Sequence, residues 1–315
     1  MGREQQPVDA RELFEALRDH QGPDAYGAVV AAWLDRAGSG YRTRLAEAAE
    51  RLCRAAFDGA APARADLSWE IYALSRVNDV LLLSFQAPVE AAAEALHPFP
   101  WPTVAMRDYL RFSTRLGLVP FEDRGTFDPF LHEIVEVEQA ADPDEPIRVI
   151  DVVWPGLWLG PLLFSRAGVK VLAGARHAER GVADRSPLYW AFLRRNRPTV
   201  DLSHGWGHNS QWRTDFRLDH RTEAGECVNA GGGEDIDAAA GADAPGALLT
   251  PEERRLLLRH RCLLRTPSNA AALASMPGWE TDLHPFDWRL PAAGTTCPPL
   301  HGREGWGRSP AQGGP

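Results

Sequence analysis

"HEIVEVEQAADPDEPIRVIDVVW", His132–Trp154, is the stretch that decides the fold. Its first eight residues are rich in β-branched side chains and alternate apolar with charged positions, the period of a strand with one face toward a core. "ADPDEP" (Ala141–Pro146) then gathers residues that favour turns. "IRVIDVVW" (Ile147–Trp154) is a second alternating run, so the two are expected to pair as a hairpin. "LLFSRAGVKVLAGARH" (Leu162–His177) supplies further strand, expected to bend at Gly168. Strands that follow one another without a helix between them argue against a doubly wound sheet and for an antiparallel or mixed one.

Upstream, the period changes to that of helices. "DARELFEALRDH" (Asp9–His20) sets Leu13, Phe14 and Leu17 on one face. Asp24–Ala37, Tyr41–Phe57, Trp69–Phe85, Pro88–His97 and Thr103–Leu118 continue in that style, with Gly117 as a stop signal. Downstream, Ser186–Pro198 and Thr250–Arg265 read as capped helices, with a glycine-rich insertion at Asn229–Ala247. The expected class is α+β: an N-terminal helical bundle followed by a mixed or antiparallel β-sheet domain with a few helices. Residues 1–118 form the helical domain, 119–290 the α+β domain that would carry catalysis, and the Gly/Pro-rich 291–315 a disordered tail.

Composition narrows the chemistry. The chain of 315 residues has a formal net charge of −9, so general nucleic-acid binding is not expected. Among 34 basic residues only Lys170 is a lysine, as in high-GC bacterial coding sequence. Lys170 lies in strand-like sequence without a phosphate-loop pattern, which weighs against phosphate-loop and Schiff-base enzymes. The four cysteines are scattered with no C-x-x-C, in keeping with a reducing compartment. The N-terminal residues lack the apolar run of a signal peptide, and no apolar run is of membrane-spanning length. A cytoplasmic protein with no membrane association is expected. There is no G-x-S-x-G elbow and no dinucleotide fingerprint, and Cys227 has no partner at a recognisable spacing.

Three constellations remain. "SHGWGHNSQWRTDF" (Ser203–Phe216) holds His204 and His208 four residues apart, among glycines that allow the tight turns needed to converge two rings. The bland alternative is a polar loop whose histidines satisfy backbone groups. "HEIVEVEQ" puts one histidine and three glutamates in seven positions. Strict alternation would place His132, Ile134, Glu136 and Glu138 on one face and Val135 and Val137 inward. His132 and Glu136 would then lie about 13 Å apart, too far to share one ion unless a bulge intervenes. Glu136 and Glu138 are close enough to share a site; an exposed charged sheet face is the alternative. Lastly, Arg213, Arg217 and Arg221 recur at four-residue spacing on one strand face with Asp215 and Asp219. Ordinary surface ion pairing explains that face as well as an anion clamp does. Arg213, beside Trp212, is the arginine expected to orient a substrate.

Together these point to a metal-dependent enzyme, an oxidoreductase ahead of a hydrolase, acting on a small or peptide-like anionic substrate. His204, His208 and Glu138 would hold a divalent metal (Fe, Zn or Mn), with His132 and Glu136 as acid–base groups and Arg213 on the substrate. Two other readings stand beside it. One is a non-enzymatic protein-binding module using the Trp/Arg-rich loop. The other is metal-free acid–base catalysis by His132 and Glu136.

Overall fold

The computed structural model describes residues 9–57, 65–86, 103–128, 130–180, 183–184, 219–222, 225–227, 234–235 and 288–289. The helices expected at 88–97, 186–198 and 250–265, and the 291–315 tail, lie outside them.

Helix α1 (Ala10–Asp19) is capped by Asp9, whose carboxylate accepts from the Glu12 amide at 2.8 Å. Ala10, Leu13, Phe14 and Leu17 form its buried stripe. A helix leaves its first amides without internal partners, and here the Ala10 N–H donates to Glu70 Oε1 at 2.8 Å. The buried Tyr41 hydroxyl donates to the same oxygen, and burial raises the Glu70 carboxyl above its ordinary pKa. One carboxylate thus joins α1 to α2 (Ala32–Phe57) and α3 (Ala65–Leu82).

A π-helical turn, Tyr26–Ala31, leads into α2, and α2 kinks at Gly38 (φ 57°). Helix α4 (Met106–Arg115) stops before Gly117 (φ 87°), the left-handed stop read from the sequence.

The strands are β1 (Val119–Phe121), β2 (His132–Gln139), β3 (Arg148–Trp154), β4 (Gly156–Leu159), β5 (Leu162–Ser165), β6 (Ala167–Ala173), β7 (Asp219–Thr222) and β8 (Gly225–Cys227). A two-residue parallel pair, β9 (Glu234–Asp235) with β10 (Trp288–Arg289), completes them. Five strands pair antiparallel in the order β1-β4-β5-β7-β8, and three form a mixed sheet, β2-β6-β3. The α+β class with mixed and antiparallel sheets is therefore what the chain adopts.

Two details correct the sequence reading. The β2–β3 hairpin does not form, because β6 lies between them, parallel to β2 and antiparallel to β3. The true hairpin is longer: residues 148–159 and 162–173 run antiparallel about a turn at Gly160–Pro161. Its strands are interrupted at Pro155 and Arg166, and there it bends from the three-stranded sheet, which takes its outer half, into the five-stranded one, which takes its inner half. Strands that switch sheets in this way make the corner between two packed layers. Bulges on β3 between Val149/Asp151 and Val152/Trp154 supply the extra twist.

The helices pack on the five-stranded sheet. α2 packs on β4 and β5, and α4 on β1. One buried apolar cluster runs from Leu13 and Trp33 through Leu74 and Phe112 to Leu157, Val169 and Val171. No helix among the described residues is long and apolar enough to cross a membrane.

Candidate functional site

A further correction concerns β2. Its register against β6 shifts between Ile134, opposite Val169, and Glu136, opposite Lys170. Val135 is the extra residue, so alternation breaks there. His132, Ile134 and Val137 are buried, whereas Val135 and Glu136 are half-buried and Glu138 is exposed. The face predicted to carry His132 together with Glu136 and Glu138 does not exist. The two glutamates instead meet Lys170 Nζ, at 2.8 Å for Glu136 and 4.0 Å for Glu138. The Glu136 hydrogen bond holds the lysine above its ordinary pKa.

His132 is held by backbone. Its Nδ1 accepts from the Asp128 N–H at 2.9 Å, and its Nε2 lies 3.1 Å from the Asp123 carbonyl, which fixes the neutral tautomer with the proton on Nε2. Phe127 stacks on the ring at 5.8 Å. Burial is the main cause that lowers its pKa, against the nearby Asp123 and Asp128 charges. His204, His208 and Arg213 lie outside the described residues. Among those that are described, no group of three or more His, Cys, Asp and Glu is arranged to hold a metal ion.

A different set of polar groups converges on the hairpin bend. Arg166, at the bend, donates to Asp219 at 2.8 Å, and both side chains are buried. Next to Asp219, burial pushes the His220 imidazole down to about 4, so it is neutral near pH 7. On the helical side, Asn78 Nδ2 donates to Ser165 Oγ at 3.2 Å, and the Tyr109 hydroxyl donates to Asn78 Oδ1 at 2.9 Å. Trp154 Nε1 donates to the Arg166 carbonyl at 3.2 Å. Helical and sheet layers are thus tied by the Tyr109–Asn78–Ser165 hydrogen bonds at the corner.

Outward from this buried set lies an arginine on an aromatic platform. The Arg221 guanidinium sits 4.9 Å from the Phe130 ring centre and 5.8 Å from that of Trp158. The two rings are 6.3 Å apart, and Phe121 flanks Trp158 at 5.7 Å. Arg166 approaches Phe130 as well, at 5.9 Å. Asp128 reaches Arg221 at 3.5 Å, with the two side chains 35% and 38% exposed, so the charged pair meets solvent above a buried Phe130 and a half-buried Trp158. Asp128 is itself well fixed: its Oδ1 accepts from the Phe130 amide at 2.8 Å and its carbonyl from the His132 amide at 2.8 Å.

The sequence singles out Arg213, which lies outside the described residues; of that arginine face, Arg221 is the member described. Arg221 and Asp219, two apart on β7, both work on the Phe130 side, as strand parity requires. What singles out Arg221 is Phe130, Trp158 and Asp128, all more than sixty residues upstream. No local spacing reveals such a meeting.

No family model matches this chain, and no match is found among curated proteins or solved structures.

Proposed function

We propose that the protein is a binding protein that captures a carboxylate-bearing, peptide-like ligand on the Arg221 platform. The observation that carries this reading is the half-open guanidinium stacked over Phe130 and Trp158. A guanidinium seated over aromatic rings loses rotamer freedom before a ligand arrives, and its planar fork matches a carboxylate. Trp158 and Phe121 offer apolar surface beside it for a ring or aliphatic side chain. Arginine and tryptophan in one patch is also the composition of binding hot spots.

The test is titration with benzoate, followed by tryptophan fluorescence and by the Arg221 Nε–H resonance. Arg221→Lys is expected to weaken binding about tenfold, because a point charge replaces the fork. Equal affinity in wild type and Arg221→Ala overturns the reading.

Metal-dependent chemistry at His204 and His208 is a separate proposal, and it rests on their sequence spacing. Near-stoichiometric Fe, Zn or Mn in purified protein, lost in the His204→Ala/His208→Ala double variant, is its expected result. Metal-free protein rules it out. Acid–base catalysis by His132 and Glu136 has less support, with both ring nitrogens engaged and the glutamate across the sheet.

A further inference from the structure

We infer that His132 is a positioning residue for the Arg221 platform, acting through Asp128, and that its protonation loosens ligand capture. This rests on the carboxylate-binding reading above. The link is a chain of direct contacts. His132 Nδ1 takes the Asp128 N–H at 2.9 Å, and the Asp128 carboxylate reaches Arg221 at 3.5 Å. The Asp128 amide is a donor, so Nδ1 serves it only while unprotonated. A proton on Nδ1 sets two donors against each other, and the Asp128 segment must move. Arg221 then loses the carboxylate it meets at 3.5 Å beside Phe130, and its position over the ring shifts.

The surroundings make this ring the group that titrates. Asp123 and Asp128 face it from the preceding loop, and Arg221 faces it from β7 through Asp128. Its register partner on β6 is Ala167, which carries no charge, and Phe127 covers the ring. Its neighbour Glu133 is buried one position along β2, on the opposite side of the strand. Burial holds the ring neutral at pH 7, and the change comes as pH falls below the ordinary histidine value of 6.5. Three backbone-directed bonds to Asp128 survive protonation, from the amides of Phe130, Leu131 and His132, so the response is graded and not a collapse.

The experiment follows the Asp128 amide and Arg221 Nε–H resonances from about pH 7.5 to about pH 5, with and without benzoate. In wild type both resonances are expected to move in one titration below pH 6.5. Benzoate affinity should fall about threefold to tenfold over that range, the worth of one hydrogen bond. His132→Asn can still accept the Asp128 N–H but does not titrate, so its resonances and its affinity should stay level. Asp128→Asn keeps the backbone bond and removes the charge, so Arg221 should no longer follow the histidine. An Arg221 resonance that ignores the His132 titration overturns the inference, as does an identical pH profile in wild type and His132→Asn. Absence of benzoate binding at every pH defeats the carboxylate reading alone, because the ligand-free resonances still decide the coupling.

Discussion

Asp219→Ala is expected to destabilise the fold by about 3 kcal/mol, read as a lower urea midpoint at unchanged slope. The Arg166–Asp219 pair is buried on both sides, at 8% and 1% side-chain exposure. Bringing two charges out of water is costly, and their mutual attraction offsets that cost only while both are present. Removing the carboxylate leaves a buried guanidinium without the partner it meets at 2.8 Å. Asp219→Asn should cost less, since an amide oxygen still accepts from Arg166. A loss under about 1 kcal/mol in Asp219→Ala would place the pair among solvated surface bridges and contradict its burial.

Gly168→Ala is the second large effect, with an expected loss of about 3 kcal/mol from overpacking. A Cβ at position 168 would sit 2.2 Å from Trp154 Cε2 and 2.4 Å from two further indole atoms. Trp154 cannot retreat, for it is fully buried and its Nε1 is bonded to the Arg166 carbonyl. Trp154→Ala alone should cost about 3–5 kcal/mol as a cavity. In that background Gly168→Ala should cost little, so the pair is strongly non-additive. Additive losses in the double-mutant cycle would mean the methyl meets something other than the indole.

Legibility in the sequence followed the range of the interaction. α1 is readable because Leu13, Phe14 and Leu17, the core of its buried stripe, lie within five residues of each other. The end of α4 was readable because Gly117 adopts a conformation that side chains other than glycine resist. Strand content was visible from alternation, yet the neighbours were not: β6 enters between β2 and β3 for tertiary reasons that no turn signal encodes. Val135 shows the same limit at the scale of one residue. An alternating pattern reads identically with or without a bulge, and the bulge moved Glu136 and Glu138 away from His132. Arg221 acquires its platform from rings on other strands, so its spacing to Arg213 and Arg217 said nothing of it.

The bent hairpin carries a further consequence for how the protein comes apart. Each of its arms is a strand of both sheets, so neither sheet can open alone without straining the corner at Pro155 and Arg166. The two layers are expected to open as one cooperative unit, read as amide-exchange protection that rises and falls together across both sheets. Its closing turn, Gly160–Pro161, joins partners close in sequence, and such short-range pairing favours early formation on the folding path.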